Sequence, residues 1–326
     1  MLLFDSKTKK NNDKEKRSER CATIFRTIVI IILLTAGAIL GYFAYFVSHQ
    51  YEDQLQVSTF NSVAEQFETY VLENLSEKIS ALSSVAAVVS MVCPSSSNWP
   101  NCSVPYISYE NITDPLMKGN NMRALTFAIV LDPQHQQQFE SFAYQFYEDS
   151  NHGDIGIKDF GTGIWAENIT TNEIYHDFGE YFVGNRNIMV PILEVGDLPM
   201  NRHSIMFNLY SEKIRARSID QVLECYDNTM KTTGCTSITE VIRLVQDESF
   251  IPSAHILHPI VPLYTTTTST TGTTTTSSTS SNMTLVSGIL LSIFHWDDVF
   301  TGAIPEYVSD LDVVLSDENS AAFSFR

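Results

Sequence analysis

The first apolar feature of the chain is the segment Thr27–Ser48, TIVIIILLTAGAILGYFAYFVS, which has 22 residues without a charge or a proline. About 20 apolar residues cross the hydrocarbon core of a bilayer, so this segment is predicted to be a single transmembrane helix. A secretory signal peptide is the competing interpretation. The apolar run is too long for one and no small-residue cleavage site follows it cleanly, which favours the uncleaved span.

The residues from His49 to Val92 predict one long helix that continues from the span. Apolar residues recur there at steps of three and four, and neither proline nor glycine interrupts the segment. This stripe predicts a stalk helix that packs on its own domain, on a second copy of the chain, or on both. The helix is expected to end near Cys93-Pro94. The stripe comprises Phe60, Val63, Phe67, Val71, Leu75, Ile79, Leu82, Ala86 and Val89.

Downstream of the stalk, short apolar runs of strand type alternate with helical patterns. Prolines, a glycine and sequons predict a surface loop at 103–122, and residues 150–180 are expected to be mostly loop. Asp132 and Ser211 are predicted to cap two helices, and a third begins near Trp296. This order predicts an α+β fold built on antiparallel sheet. The predicted strands are 123–131, 187–195, 235–247, 254–264, 285–294, 311–316 and 321–326.

Charge is distributed unevenly along the chain. The net charge is −18, but residues 1–26 carry eight Lys or Arg against four Asp or Glu, which leaves −22 for the rest. The basic flank predicts a cytosolic N-terminus, with residues 49–326 outside the cell or in a lumen. An acidic surface repels phosphate backbones, so nucleic acid is not expected as a partner.

Glycosylation sequons and cysteines agree with this topology. Cys93 and Cys102 are near neighbours, as are Cys225 and Cys235, so each pair can close a short disulfide loop in an oxidising compartment. Cys21 remains on the cytosolic side, either as a reduced thiol or as a palmitoylation site. All five sequons follow the span, at Asn74, Asn101, Asn111, Asn168 and Asn282.

The titratable side chains form no recognisable catalytic or metal site. His255 and His258 are three residues apart, which places them on opposite faces of a predicted strand. Asp297 and Asp298 could form a carboxylate pair, but they stand where a helix requires a cap, and we favour the cap. No zinc-ligand motif, nucleophile elbow, P-loop or dinucleotide fingerprint occurs. We therefore expect no enzyme activity, metal or cofactor in this chain.

A tract of almost pure Thr and Ser separates two of the predicted strands. Its part at 265–281 has no apolar residue able to bury itself, and residues 265–284 are expected to be a disordered insert. The cost of closing a loop grows slowly with its length, so a sheet tolerates such an insert. A slippage-prone repeat without function and an O-glycosylated tip remain equal alternatives.

Four blocks of the segment from Arg123 to Arg326 resemble a CHASE domain, the extracellular sensory domain of receptor histidine kinases and nucleotide cyclases. The blocks are RALTFAIVLDPQHQQQFESF, NRHSIMFNLYSEKIRARSIDQVLE, TGCTSITEVIRLV and HPIVPLY followed by LVSGILLSIFHWDDVF. Their order and the preceding span carry the resemblance. It implies a long stalk helix and two PAS-like modules, a membrane-distal one at 110–264 and an incomplete proximal one at 285–326.

The resemblance also implies candidate ligand contacts. Thr239 is expected to retain the pocket threonine of the family. The acidic ligand contact of the family aligns near Asn187, which is uncharged, and the family's Gly-x-Asp is replaced by Met206-Phe207-Asn208. Asn187, Met189, Met206 and Asn208 are therefore candidate pocket positions. Because the carboxylate is lost and these residues are neutral, we expect an uncharged or weakly polar ligand and do not predict a cytokinin.

The resemblance implies the sensor region of a membrane receptor, dimeric through its stalk. A bound small molecule would bias a two-state equilibrium across the membrane toward a cytosolic cyclase or kinase that this chain lacks. The main alternative is a single-span, membrane-anchored binding glycoprotein without signalling output. An ectoenzyme is a third hypothesis, which requires His, Asp and Ser side chains within hydrogen-bond reach of one another.

Overall fold

The structure, a computed structural model, describes residues 5–150, 161–168, 171, 173–176, 184–230, 232, 234–242, 244, 251–264, 286–305, 313–315 and 323–325. Contacts divide the chain into two compact units, Met1–Gln66 and Phe67–Arg326. The α+β fold class is confirmed, because a long apolar helix precedes a five-stranded antiparallel sheet. The predicted disordered insert at 265–284 lies outside the described residues.

The first unit is formed by helix α1, which spans Asp5–Val92 and continues into the second unit. The most apolar 18-residue window of the helix has a mean hydropathy of 2.4, and none of it is buried. Large apolar side chains such as Leu33 and Leu40 are exposed there. By length and composition this helix can cross a membrane. A signal sequence near the N-terminus has the same properties, so the uncleaved span at 27–48 stays a prediction.

Within the second unit, the last part of α1 packs one side against the core. Leu82, Val85 and Val89 are almost fully buried, and Leu82 and Val89 belong to the predicted apolar stripe. The helix ends at Val92, directly before Cys93-Pro94, as the loop chemistry of that segment predicts. Phe60, at the start of the stripe, is 62% exposed, so none of the residues that the structure describes covers that end of the stripe.

The prediction of a surface loop at 103–122 is wrong, because Tyr106–Gly119 form helix α2. Tyr109, Thr113 and Met117 recur at steps of four and are buried, which is the pattern of a packed helix face. One proline precedes the first turn and a second lies inside the helix. The prolines and sequons therefore concealed a helical period.

Within the part of the chain that the structure describes, four further α-helices follow α2. The capping prediction for Ser211 is wrong, because the Glu212 carboxylate accepts hydrogen bonds from the backbone N–H groups of Ile214 and Arg215, at 3.0 and 2.9 Å. Asp132 does act as a cap, but it caps a 3₁₀ turn that precedes α3. The helices are α3 (Gln136–Asp149), α4 (Leu198–Asn201), α5 (Lys213–Thr229) and α6 (Trp296–Ala303).

The cap predicted from Asp297 and Asp298 is also wrong in detail. His295 is the N-cap residue of α6, and both aspartates lie in the first helical turn. Acidic side chains there interact favourably with the helix dipole. Asp298 also pairs with Arg123 at 3.0 Å.

The central sheet has the strand order β4-β1-β7-β6-β5, and all of its pairings are antiparallel. A short pair, β2 with β3, and a second pair, β8 with β9, lie outside it. The strands are β1 (Ala124–Ile129), β2 (Ala166–Asn168), β3 (Glu173–Tyr175), β4 (Ile192–Val195), β5 (Ser237–Ile238), β6 (Ser253–Ile260), β7 (Gly288–His295), β8 (Val313–Leu315) and β9 (Phe323–Phe325).

Strand β7 corrects the predicted module boundary. The Thr/Ser insert was expected to separate a distal module at 110–264 from a proximal one at 285–326. Instead β7, which follows the insert, lies between β1 and β6 in the centre of the same sheet. The insert therefore joins two adjacent strands of one sheet, and a second module stays a prediction for the residues beyond His295.

The short β2–β3 pair lies within residues 150–180, which were expected to be mostly loop. The strands at 187–195 and 235–247 are shorter than predicted, since the described ladders cover only Ile192–Val195 and Ser237–Ile238. Isolated bridges at Met189 and Ile242 extend these edges. Propensity located the edge strands but overestimated their lengths.

Helices cover both faces of the central sheet. On one face, the Lys78 ammonium of α1 lies 6.0 Å from the centre of the Phe294 ring, and Ser90 donates a hydrogen bond to the carbonyl of Val261 at 3.0 Å. Helix α5 packs against β5 and β6. All residues of β1 and β6 are consequently buried.

The predicted cysteine pairs are at disulfide distance. The Cα atoms of Cys93 and Cys102 are 6.0 Å apart, and those of Cys225 and Cys235 are 5.4 Å apart. Cys21 is a free, exposed thiol.

Glu194 of β4 carries a carboxyl group that is buried against the sheet. One oxygen accepts a hydrogen bond from the backbone N–H of Val104 at 2.8 Å, and the other has no partner. Burial raises the pKa of Glu194 well above its ordinary value of 4.5, and the Val104 bond only partly opposes this. The folded protein therefore holds the neutral acid.

We predict that Glu194→Gln stabilises the protein increasingly as the pH rises above 4.5. Above that pH the unfolded wild-type chain loses a proton that the folded chain retains, so wild-type stability falls, whereas the amide does not titrate. The measurement is the thermal midpoint of both proteins from pH 4.5 to 8.5. Glu224→Gln, at an exposed position of α5, is the matched control. A constant difference between wild type and Glu194→Gln across this range would contradict the prediction.

Candidate functional site

The candidate site lies on the sheet face that is directed toward α5. In the sheet register, His255 stands opposite Ile293, and Ile293 stands opposite Ala124. Directly opposed residues share a face, so these residues form a row across three strands. Thr239 continues the row beyond β5, because it bonds to His255. We call this row and its neighbours on the same face the His255 face.

Thr239 and His255 are joined by two hydrogen bonds. The backbone N–H of Thr239 donates to the carbonyl of His255, and the backbone N–H of His255 donates to the Thr239 hydroxyl oxygen, each at 2.9 Å. The Thr239 side chain therefore completes the ladder at the sheet edge, and its hydroxyl proton stays available for another acceptor.

The His255 side chain is 2% exposed, and neither ring nitrogen has a hydrogen-bond partner. Burial lowers the pKa of His255 well below its ordinary value of 6.5, and the positive charge of Arg215 lowers it further. The imidazole is therefore neutral at physiological pH, with one N–H donor and one acceptor nitrogen that are both unmatched.

Arg215 brings a charge toward this face from the first turn of α5. Its guanidinium Nη1 lies 3.6 Å from Oε2 of Glu212, and its Cζ lies 5.5 Å from the centre of the Phe207 ring. Burial lowers the pKa of Arg215, and the carboxylates of Glu212 and Glu167 oppose that shift. The guanidinium is thus held between a carboxylate and an aromatic ring.

Aromatic side chains continue the cluster beyond Arg215. The rings of Phe207 and Trp165 meet edge to face with centres 5.0 Å apart, and both are buried. The indole N–H of Trp165 donates to the carbonyl of Ile205 at 2.8 Å. Within this cluster, both ring nitrogens of His255 are buried without a hydrogen-bond partner.

Two candidate positions from the sequence lie in this cluster. Met206 is fully buried with φ of 62°, a backbone conformation that favours glycine. The Asn208 side-chain oxygen accepts hydrogen bonds from the backbone of Val190 and Tyr210 at 2.8 and 3.1 Å. Asn208 therefore holds the segments together, and its oxygen is already occupied.

The other two candidate positions, Asn187 and Met189, lie on the segment before β4. Asn187 is exposed, whereas Met189 is buried and forms a bridge with Leu131. The segment is tied to α5, because the Arg186 guanidinium contacts an Asp227 carboxylate oxygen at 2.9 Å. The structure does not bring the Asn187 side chain into the buried row.

Sequence reasoning missed His255 and Arg215 as members of a site. His255 was considered only as a metal ligand and set aside because His258 lies on the opposite face. Within the described residues, no group of three His, Cys, Asp or Glu is placed to hold a metal ion. The available signal was a polar residue in the centre of the apolar strand AHILHPI.

A buried serine and histidine meet at the end of β6, but with the wrong polarity for a nucleophile and its base. Ser253 Oγ lies 2.8 Å from His295 Nδ1 and also donates to the carbonyl of Ile251 at 2.8 Å. A hydroxyl has one proton, so His295 donates to Ser253. A catalytic histidine must instead accept the proton of the nucleophile. This pair therefore gives no support to the ectoenzyme hypothesis.

A groove of about 520 Å³ lies elsewhere on the second unit and provides a competing location for a ligand. Its charged groups are Lys118, Arg123 and Asp298, and the last two form an ion pair. Because the groove is open and its strongest charges are already matched, it has less reason than the His255 face to select a particular molecule.

The sequons lie at different depths. Asn101 and Asn111 are exposed, whereas Asn74 and Asn168 are half-buried. Asn282 lies outside the described residues. Glycosylation of all five stays a prediction.

Comparison with known proteins identifies one family. The family model described as CHASE domain matches residues 104–324, about two thirds of the chain. No curated protein matches the chain.

Proposed function

We propose that this chain is the ligand-sensing region of a membrane receptor, because it belongs to the CHASE domain family. CHASE domains are sensory, non-catalytic domains of receptors that generally bind small molecules. The observation that carries the proposal is the His255 face. It combines a buried, unmatched imidazole with apolar neighbours in a domain of this family, and small-molecule sites have the same composition.

The proposed ligand is uncharged. A charge that acts on His255 belongs to Arg215, which already faces the Glu212 carboxylate and the Phe207 ring. A charged ligand would lose its hydration without gaining a free counter-ion, at a cost of several kcal/mol. Thr239 is the proposed second contact with the ligand. Its hydroxyl oxygen accepts a hydrogen bond from the backbone of His255, so its hydroxyl proton can be donated to the ligand.

The proposed signal travels through α1. The helix includes the predicted span and also packs against the sheet in the second unit, where Lys78 and Ser90 contact β7 and the end of β6. A ligand that favours one of two arrangements of this packing would bias the position of the helix. The proposed receiver is a cytosolic cyclase or histidine kinase domain outside these residues.

A homodimer through α1 is part of the proposal. Tyr51, Leu55, Val57 and Phe60 follow the predicted span and are more than half exposed. A second copy of the helix would cover such residues. The alternative, an anchored binding glycoprotein without signalling output, shares the ligand site and differs only in this route.

We predict that the N-terminus is cytosolic, and the single free thiol reports on it. In intact cells that express the chain, a membrane-impermeant maleimide should leave Cys21 unlabelled, and permeabilisation should expose it. The remaining cysteines are at disulfide distance and do not compete. Cys21→Ser is the control that identifies the labelled residue. Labelling of Cys21 in intact cells would contradict the proposed orientation.

We predict that uncharged small molecules raise the thermal midpoint of the full chain in lipid nanodiscs, and that Thr239→Ile abolishes this shift. A ligand at 100 times its Kd stabilises the folded state by about 2.7 kcal/mol. Thr236→Ile is the matched control, because the Thr236 hydroxyl bonds His258 on the opposite sheet face at 3.0 Å. Stabilisation only by charged compounds, or equal loss in both variants, would contradict the proposal.

A further inference from the structure

We infer that His255 is the hydrogen-bonding anchor through which this chain recognises an uncharged small molecule. The inference rests on the proposed function and gives that site its chemistry. Its starting point is that both polar atoms of a side chain that is 2% exposed lack any partner. Each buried polar group without a partner destabilises the folded protein, because it has lost its hydrogen bonds to water. A structural histidine would not leave that cost unrelieved at both nitrogens.

Two other buried histidines of the same sheet show the usual solution. His258, on β6, has its Nδ1 3.0 Å from the hydroxyl of Thr236. His295, on β7, has its Nδ1 2.8 Å from the hydroxyl of Ser253. In both cases a hydroxyl residue stands where the ring can reach it. His255 also has a neighbouring threonine, but that hydroxyl accepts from the backbone of His255 instead of from its ring.

Small side chains lie on the His255 face across β7 from His255. The sheet register places Ala124, Thr126 and Ala128 of β1 on the same face, in the row of His255 and the two rows beside it. Three small side chains in succession at the centre of a sheet fill less volume than the leucines and isoleucines of β7. The backbone of His255 is fixed on one side by β7 and on the other by Thr239, so its ring has a defined place.

The chemistry of the ring selects the class of ligand. A neutral imidazole offers one donor and one acceptor, so the complementary molecule carries an amide-like or hydroxyl-like group. A site built to hydrogen-bond its ligand strongly rejects an analogue without that group, because the protein atoms are then left unmatched. Benzamide is a suitable probe, with N,N-dimethylbenzamide, which lacks the donors, and benzoate, which is charged, as matched comparisons.

The stability of His255→Leu separates an anchor from a structural histidine. We expect the thermal midpoint of the full chain in nanodiscs to stay constant or rise, because the substitution removes two unmatched polar atoms from an apolar face. His258→Leu, the control, should lower the midpoint, because it leaves Thr236 without its partner. A loss in His255→Leu as large as that in His258→Leu would overturn the inference.

The pH dependence of the thermal midpoint is a second test of whether His255 is buried and neutral. The pKa of His255 is lowered in the folded protein, so below pH 6.5 the unfolded chain binds a proton that the folded chain does not. Wild-type stability from this group is complete above pH 6.5 and is lost as the pH falls. As the pH falls from 7 to 5, the thermal midpoint of His255→Leu should therefore rise relative to that of wild type. Parallel curves would show that the ring is not buried and neutral, and would overturn the inference.

Binding gives the decisive comparison. We expect benzamide to bind wild type roughly tenfold more tightly than N,N-dimethylbenzamide or benzoate, and to lose that advantage in His255→Leu but not in His258→Leu. Equal binding of the three probes to wild type, or of benzamide to both variants, would overturn the anchor. If other uncharged compounds still stabilise His255→Leu but not Thr239→Ile, the anchor fails and the proposed function stands. If no compound stabilises wild type, both fail.

Discussion

The structure depends on a sheet that is sealed on both faces. Every residue of β1 and β6 is buried, so no side chain on these strands can satisfy its polar atoms with bulk water. Under that constraint each buried polar group needs a partner inside the protein or a ligand. The buried histidines His258 and His295 meet the constraint with hydroxyl groups. The ring of His255 has no such partner, and the proposed ligand site rests on that difference.

The face of the sheet that α1 covers also holds a buried charged group. On the α1 face, the buried ammonium of Lys78 donates a hydrogen bond to the carbonyl of Asn120 and lies over the Phe294 ring. Burial lowers the pKa of Lys78 to about 8, and the charges of Glu77 and Asp298 oppose the shift. The Lys78 ammonium therefore has its contacts within the chain. A ligand on the His255 face would act on strands whose other side already carries the helix proposed to transmit the signal.

Much of the fold could be predicted from the pattern of apolar residues, because that pattern reflects local geometry. The helix end at Val92, the central strands and the cysteine pairs follow from period, turn residues and spacing. Helix α2 was missed because its prolines and sequons are turn signals, although its buried residues keep a helical period. The place of β7 between β1 and β6 could not be predicted, since strand order depends on contacts between residues far apart in the sequence.

The candidate site was predicted less completely than the fold. Thr239 was placed by the family resemblance, and it does lie beside His255. The role of Asn208 as a bridge between segments, and the exposure of Asn187, depend on loop paths that local pattern does not encode. His255 and Arg215 become a cluster only when α5 packs on the sheet, and only atomic contacts reveal that one ring is left without a partner.

The most direct test of the account is an experimental structure of the chain bound to an uncharged compound that stabilises it. The account predicts that the compound lies on the His255 face, with a polar atom within hydrogen-bond distance of an imidazole nitrogen and a second contact at Thr239. A compound in the groove beside Arg123 and Asp298, with the His255 ring still unmatched, would contradict it.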